Sequence, residues 1–404
     1  HLFYLLLALL ALSYLWAWSN LRGLDVLRES FTHRAQVGDQ ARERLTIRNL
    51  WPFPKLWVEL RDNSTLQGHH FAAVVSLPRH STRAWTVRTL CRHRGLYRLG
   101  PTAVHTGDPF GLFNHVRLYT ESTELLVMPP TVPLQSLGLP ATDLPGGTRM
   151  TRRAYHTTPN AAGVRDYMPG DPMNRIHWPL TARVQKLMVK EFELDPTSDI
   201  WIVLDLESEV HVQPYAQEWT GDQPPPLPPP VGAGGALGLD PTTEEYAVVA
   251  AASLASHFIG QGRTVGLVAW GQHRVTLQAD RGGRQLVKIL RALAVLRAEG
   301  TTPLRDVIQT ETRLFARQDT LVVVTPSLNE EWIESLQREI FRGMHAMSVL
   351  VEPATFGGEG NPLPVVSALA ALNVPTSLVK RDLALDVSLS QSAAGLGRGG
   401  RNLG

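Results

Sequence analysis

The run Ile200-Trp201-Ile202-Val203-Leu204-Asp205-Leu206-Glu207-Ser208-Glu209 decides the fold of this chain. An unbroken apolar stretch leaves no side for water, which suits a strand buried on both faces in a parallel sheet covered by helices. Carboxylates follow directly, at the strand end where open α/β sheets gather their ligands. Further candidate strands continue the rhythm at Thr264–Trp270, Arg274–Gln278, Thr320–Thr325, Met347–Glu352 and Thr376–Val379. The intervening helices carry their own signals. Thr242 and Glu245 have capping-box spacing, Leu286, Ile289, Leu290, Leu293 and Leu296 share one helical face, and Ser327 with Glu330 stands before Trp332, Ile333, Leu336 and Ile340. Residues 199–387 therefore read as a doubly wound α/β domain, interrupted by a Pro-rich insertion at 221–240 and followed by a disordered Gly- and Ser-rich tail at 388–404.

Upstream, residues 25–139 alternate apolar and polar over short stretches bounded by turn residues. Arg44–Arg48, Lys55–Leu60, Phe71–Val75 and Arg83–Val87 are examples, with Gly38-Asp39, Asp62-Asn63 and Gly107-Asp108-Pro109 as turns. Such alternation marks antiparallel strands with one buried face, here a β-sandwich of immunoglobulin-like size. Residues 140–198 form a linker and a charged segment that leads into the first α/β strand. The whole is a multidomain α+β chain.

Residues 1–24 differ from all of this. Leu2–Leu21 contains no charged residue, and twenty helical residues span about 30 Å, the hydrocarbon thickness of a bilayer. Tyr14, Trp16 and Trp18 sit towards one end, and Arg22, Arg28 and Arg34 follow. Aromatic belts and the positive-inside rule then predict a transmembrane helix with the soluble domains on the cytoplasmic side. No basic segment precedes the run and no small-residue cleavage site ends it, as a signal peptide would require. The chain opens at His1 without an initiator methionine, so residues upstream of it are expected, and the number of membrane passes among them stays open.

Composition narrows function. With 39 Lys plus Arg against 37 Asp plus Glu, the formal charge of +2 makes no electrostatic case for nucleic acid. The single cysteine, Cys91, excludes an internal disulfide framework. Cys91 and His93 alternate along one strand face without a third orienting group, so packing is the better reading than a nucleophile–base pair. His69-His70 falls in a polar turn with no ligand spacing, and His177 reads as a structural histidine. The sequence has no Gly-x-x-x-x-Gly-Lys loop, Gly-x-Ser-x-Gly elbow or dinucleotide fingerprint.

Two groups remain as candidate sites. Asp205, Glu207 and Glu209 stand at the end of the first α/β strand. They resemble the start of a von Willebrand factor A domain, whose metal-ion-dependent adhesion site begins Asp-x-Ser-x-Ser. That resemblance implies a threonine from a later loop, at Thr301 or Thr302, and a Mg²⁺ or other divalent cation held by oxygen ligands. Glutamates replace both serines, and Thr325-Pro326-Ser327 occupies the place of a late aspartate, so the site is degenerate. The plain alternative is a set of solvated carboxylates.

The second group is the segment Arg165, Asp166, Tyr167, Pro169, Gly170, Asp171, Arg175, Trp178, Arg183, Lys190 and Glu193. One reading makes it a docking motif. The other makes it structural: Asp171 pairs with Arg175, Trp178 fills an apolar seam, and Arg183 and Lys190 lock the two domains together. These residues, with Asp108-Pro109-Phe110-Gly111-Leu112-Phe113 upstream, resemble the signature of the domain of unknown function 58 family of bacterial and archaeal membrane-associated proteins. The resemblance implies a membrane-tethered, non-enzymatic adaptor that works with a MoxR-type AAA+ ATPase in assembling or activating protein complexes. A cell-wall organising scaffold without an ATPase, and a metal-dependent hydrolase using the Asp205 cluster, are the alternatives.

Overall fold

The computed structural model describes residues 1–134, 161–166, 178–192, 198–213 and 239–390. Its first element is helix α1, Leu2–Leu21. Among the described residues it is the one helix long and apolar enough to cross a membrane. Its outward residues are exposed along most of its length. Ser13, Ala17 and Asn20, spaced to share one face, are buried against the region that follows.

That region is β-rich. In order it holds β1 (Leu24–Ser30), β2 (Arg34–Gln36), β3 (Gln40–Asn49), β4 (Lys55–Asp62) and β5 (Ala72–Leu77). Then come β6 (Thr82–Leu90), β7 (Gly95–Leu99), β8 (Thr102–Gly107), β9 (Asn114–Tyr119) and β10 (Thr123–Met128). Strands pair as β1-β3-β6, as β5-β4-β8-β9 and as β2-β10-β7. The inward residues of the first two sheets meet in one core of Leu24, Val26, Ile47, Val58, Leu60, Leu77 and Val104. Alternation dictates this: along β3, Ala41, Glu43, Leu45 and Ile47 point inward while Arg42 and Arg44 face out. Cys91 and His93 do not lie on a strand face as the sequence suggests; they belong to the connection between β6 and β7.

A short hairpin-like pair follows, β11 (Ala161–Asp166) against β12 (Met188–Phe192), with helix α2 (Trp178–Val184) between them. The α/β region then begins with β13 (Ile200–Leu204), α3 (Thr243–Gly260), β14 (Val265–Trp270), β15 (Arg274–Asp280) and α4 (Gly283–Val295). It continues through α5 (Leu304–Glu311), β16 (Thr320–Thr325), α6 (Glu331–Phe341) and β17 (His345–Val351). It ends with α7 (Leu363–Ala371), β18 (Thr376–Val379) and α8 (Leu385–Ser390). The sheet runs β15-β14-β13-β16-β17-β18, all parallel except the edge strand β15. Cores lie on both faces, one built on α3 and α4 and the other on α5, α6 and α7. That is the doubly wound arrangement expected of fully apolar strands.

Local signals differ in detail. Thr242 caps α3 by accepting the Glu245 N–H at 3.2 Å, but Glu245 does not return the bond. Its carboxylate is drawn instead to Arg94. Ser327 does not cap α6; Asn329 Oδ1 accepts the Glu331 N–H at 3.0 Å. Helix α8 continues through Ser390 with Leu389 fully buried, so the first residues of the expected tail are packed.

The β-rich and α/β regions are joined by one side chain above others. Arg94, wholly buried, reaches from the β6–β7 connection into the α/β region. Its Nη1 donates to the carbonyls of Leu293 at 2.9 Å and Leu296 at 2.5 Å, the carboxyl end of α4. The same guanidinium pairs with Glu244 and with Glu245, the latter at 3.0 Å, in the first turn of α3. Cations at a helix C-terminus and anions at a helix N-terminus are both favoured placements, and a guanidinium fork can serve the two at once. Arg297 Nη2 donates to the Arg94 carbonyl at 3.1 Å, and His93 meets Asp240 at 2.6 Å beside it.

Candidate functional site

The strand order reverses between β13 and β16, the place where open α/β sheets form a crevice. Asp205 stands just past β13 and Thr325 ends β16. The Thr325 hydroxyl donates to Asp205 Oδ2 at 2.6 Å across that gap, and the Glu207 N–H donates to Oδ1 at 3.1 Å. Asp205 is almost fully buried, and burial lifts its carboxyl to about 6, the two hydrogen bonds opposing the rise only in part. No cationic side chain pairs with it among the described residues. Glu207 is also raised, by burial first and then by Glu209 and Asp306. The mouth of the crevice is therefore anionic.

Backbone geometry fixes the rim. Glu207 bridges Gly300, with Ser208 N–H to the Gly300 carbonyl at 2.8 Å and Gly300 N–H to the Leu206 carbonyl at 2.9 Å. A Cβ at Gly300 would lie 2.4 Å from the Trp270 carbonyl oxygen, so only glycine permits this approach. Thr301 follows it on the exposed rim. Thr325, rather than Thr301, is the hydroxyl on Asp205. The sequence signal for it was the very residue that occupies the place of the late aspartate.

Behind the crevice, His211 Nε2 meets the Asp205 carbonyl oxygen at 3.0 Å and its Nδ1 meets Thr243 Oγ1 at 3.1 Å. Burial lowers its pKa, so the ring stays neutral at physiological pH, with Nε2 donating to the carbonyl. Thr243 precedes Glu244 and Glu245, the partners of Arg94. Polar contacts thus run from Asp205 through His211 to Thr243, the residue before the glutamates that hold the seam.

Among the described residues, one group of three potential ligands has its atoms within 4.8 Å of one another, and it lies elsewhere: Glu43, Asp62 and His69. His69 is not in a solvated turn as its neighbours suggest, but 4 % exposed inside the β-rich region. Its Nε2 lies 2.7 Å from Asp62 and 2.9 Å from Glu43. Burial favours the neutral ring, yet the two carboxylates outweigh it and raise its pKa to about 9. Arg28 bridges the same carboxylates, at 2.5 Å to Glu43 and in direct contact with Asp62. Two cations already balance the two anions of this group.

The signature residues divide. Arg165 and Asp166 end β11, where they are in register with Val189 and Met188, and Lys190 on β12 is in register with Val164. Trp178 opens α2 and is exposed, so it does not fill an apolar seam. Arg183, also exposed, lies in the last turn of α2. Arg94 joins the two regions from the β-rich side, Arg183 is exposed, and the side chain of Lys190 lies outside the described residues. Tyr167, Pro169, Gly170, Asp171, Arg175 and Glu193, with His177 and most of the Pro-rich insertion, lie outside the described residues.

Comparison with known proteins places this geometry in context. The model of a family described as "Protein of unknown function DUF58" matches residues 163–217, the segment that runs from the signature through Asp205 to His211. The chain is 22 % identical over 346 residues to the uncharacterized protein YeaD of Bacillus subtilis (strain 168), covering 82 % of this chain and 77 % of that protein. Both matches support the DUF58 family. Among solved structures, the CARDB domain of the PF1109 protein from Pyrococcus furiosus aligns with 26 % of this chain and 91 % of that domain, at 18 % identity and a TM-score of 0.20. A β-glucosidase from Listeria innocua aligns with 26 % of this chain and 16 % of its own, at 13 % identity and a TM-score of 0.18. At these TM-scores neither alignment bears on the fold of the DUF58-like chain.

Proposed function

We propose that this chain is a membrane-tethered, non-enzymatic adaptor that presents the β13–β16 crevice to a protein partner, a MoxR-type AAA+ ATPase or its client, at the cytoplasmic membrane surface. In this reading the α/β region is von Willebrand factor A-like and the β-rich region is an immunoglobulin-like spacer. The observation that carries it is Asp205: a buried carboxylate at the strand-order reversal, hydrogen-bonded but without a cation among the described residues. A divalent cation or a basic side chain of the partner would complete it, with Glu207 and Glu209 beside it as further oxygen ligands. Anchoring by α1 raises local concentration, so a weak interface suffices. The Arg94 seam supports the same reading, because a crevice held rigidly to the anchored region keeps a fixed height above the bilayer.

The test uses the full chain in its native membranes, with a photo-crosslinking amino acid in place of Glu209 and, separately, of exposed Arg88 on β6. Adducts containing an AAA+ ATPase from the Glu209 position alone are expected. No adduct at Glu209, or the same adducts from both positions, would refute the reading. Recovery of wall-synthesis proteins alone would favour a scaffold.

A further inference from the structure

The end of the β-rich region that meets α1 carries a patch the adaptor reading does not use. Phe110 and Leu112 stand 63 % and 51 % exposed on the turn between β8 and β9, and Phe53 and Trp57 stand 63 % and 75 % exposed at the start of β4. The turn is rigid. Both oxygens of Asp108 are engaged, accepting the N–H of Phe110 at 3.0 Å and of Phe113 at 2.7 Å. Gly111 holds a positive φ of 72°. A built turn that points large apolar side chains outward needs an apolar medium to receive them.

Its position along α1 identifies the medium. The Tyr14 ring packs edge-on against Phe113 at 5.5 Å and against His115 at 5.8 Å. From Tyr14 to Leu21 is about 10 Å of helix at 1.5 Å per residue. A twenty-residue span has no length to spare across about 30 Å of hydrocarbon. The turn therefore stands beside a part of α1 that already lies inside the leaflet, at about the 5–10 Å depth to which interfacial elements bury their apolar faces.

The contacts lower on α1 agree with that depth. Asn20 Nδ2 donates to the Leu56 carbonyl at 3.1 Å and to Thr106 Oγ1 at 3.3 Å. Buried Lys55 donates to the Ser19 carbonyl, tying down the carboxyl end of α1. These bonds fix the β-rich region against the helix, so the patch cannot withdraw. Between α1 and strands β4, β8 and β9 lies a groove of about 740 Å³, lined by Trp16 and Trp57 together with Glu59, Arg61, His105 and Asn114. Exposed apolar side chains next to a groove that mixes tryptophan with charged and polar groups have the composition of a bilayer interface.

We propose that this end of the molecule is a phospholipid-binding surface, in which the 108–113 turn, Phe53 and Trp57 sink into the leaflet beside α1 and the groove behind them receives head groups. It rests on α1 spanning the bilayer. The β-rich region is then partly immersed and does not hang from a free leash.

Depth-dependent fluorescence quenching tests it on the full chain, reconstituted in phosphatidylethanolamine–phosphatidylglycerol vesicles carrying spin-labelled acyl chains. Buried Cys91 leaves an introduced thiol as the labelled one. Labels go on Phe110→Cys, on Leu7→Cys within α1, and on Phe341→Cys in the exposed α/β region. The expected result is at least twofold quenching at positions 110 and 7 and none at 341. Quenching at position 7 without quenching at 110 overturns the surface and leaves the membrane span standing, including the case where another protein segment covers the turn. Quenching at neither overturns both. Leu112→Cys and Phe53→Cys repeat the reading should Phe110→Cys fail to fold, and are expected to be quenched as Phe110→Cys is.

Discussion

Each region of this molecule holds one buried acidic site of note, and the two sites are built in opposite ways. In the β-rich region Glu43 and Asp62 are closed off by Arg28 and protonated His69, with Thr102 and Ser64 completing the shell around Asp62. In the α/β region Asp205 has a hydroxyl and a backbone N–H but, among the described residues, no cation. A closed cluster leaves nothing for a ligand to supply and belongs to the structure. An open one at a strand-order reversal costs stability at neutral pH, and in the proposed reading it is what a partner completes.

The largest effect should come from opening the closed cluster. Arg28→Ala leaves two buried carboxylates sharing His69, and breaking a buried pair costs about 3–5 kcal/mol; denaturant titration of the full chain in detergent measures it. A loss below about 1 kcal/mol would mean that water already shares the cluster. Arg94→Ala should cost about as much as another broken buried pair, but at the seam, so calorimetry should resolve two transitions where the native chain gives one. A single, unshifted transition would remove the rigid-height element of the adaptor reading.

How much of this contrast was legible in the sequence depends on distance along the chain. The strands declared themselves through alternation, as in Ala41, Leu45 and Ile47, or through unbroken apolar runs, as in Leu321–Val324. The Thr242 cap was legible because its partner lies one turn away. Asp205, Glu207 and Glu209 were legible as a strand-end group, since sheet topology alone determines where they stand. His69 was not: its neighbours Gly68 and His70 look solvated, and only strand pairing brings Glu43 to it. Arg94 was equally hidden, because Glu244 lies 150 residues away and an isolated arginine gives no sign of burial. Glu245 shows the limit from the other side, a residue whose local pattern was right and whose side chain answered to a distant partner instead.

A smaller effect is expected from Thr325→Val. It removes the hydroxyl that donates to Asp205, should cost about 1 kcal/mol for the lost hydrogen bond, and should push the Asp205 carboxyl still higher. An unchanged titration of Asp205 in the variant would show that the bond across β13 and β16 does not tune the site.

The most direct test of the contrast is the stability of Asp205→Asn relative to the native chain between pH 4 and pH 8, without divalent cations. The folded carboxyl titrates near 6 and the unfolded one near 3.8. Because the folded value is the higher, its contribution is present below the unfolded value and is lost as pH rises through 6. The asparagine variant should therefore gain on the native chain across that window and level off about 2–3 kcal/mol ahead. His69→Gln should show the complementary window, its disadvantage holding below 6.5 and fading as pH rises through about 9. A flat difference for Asp205→Asn, or a variant that loses ground as pH rises through 6, would mean that Asp205 is already compensated and that the β13–β16 crevice is not the open end of the molecule.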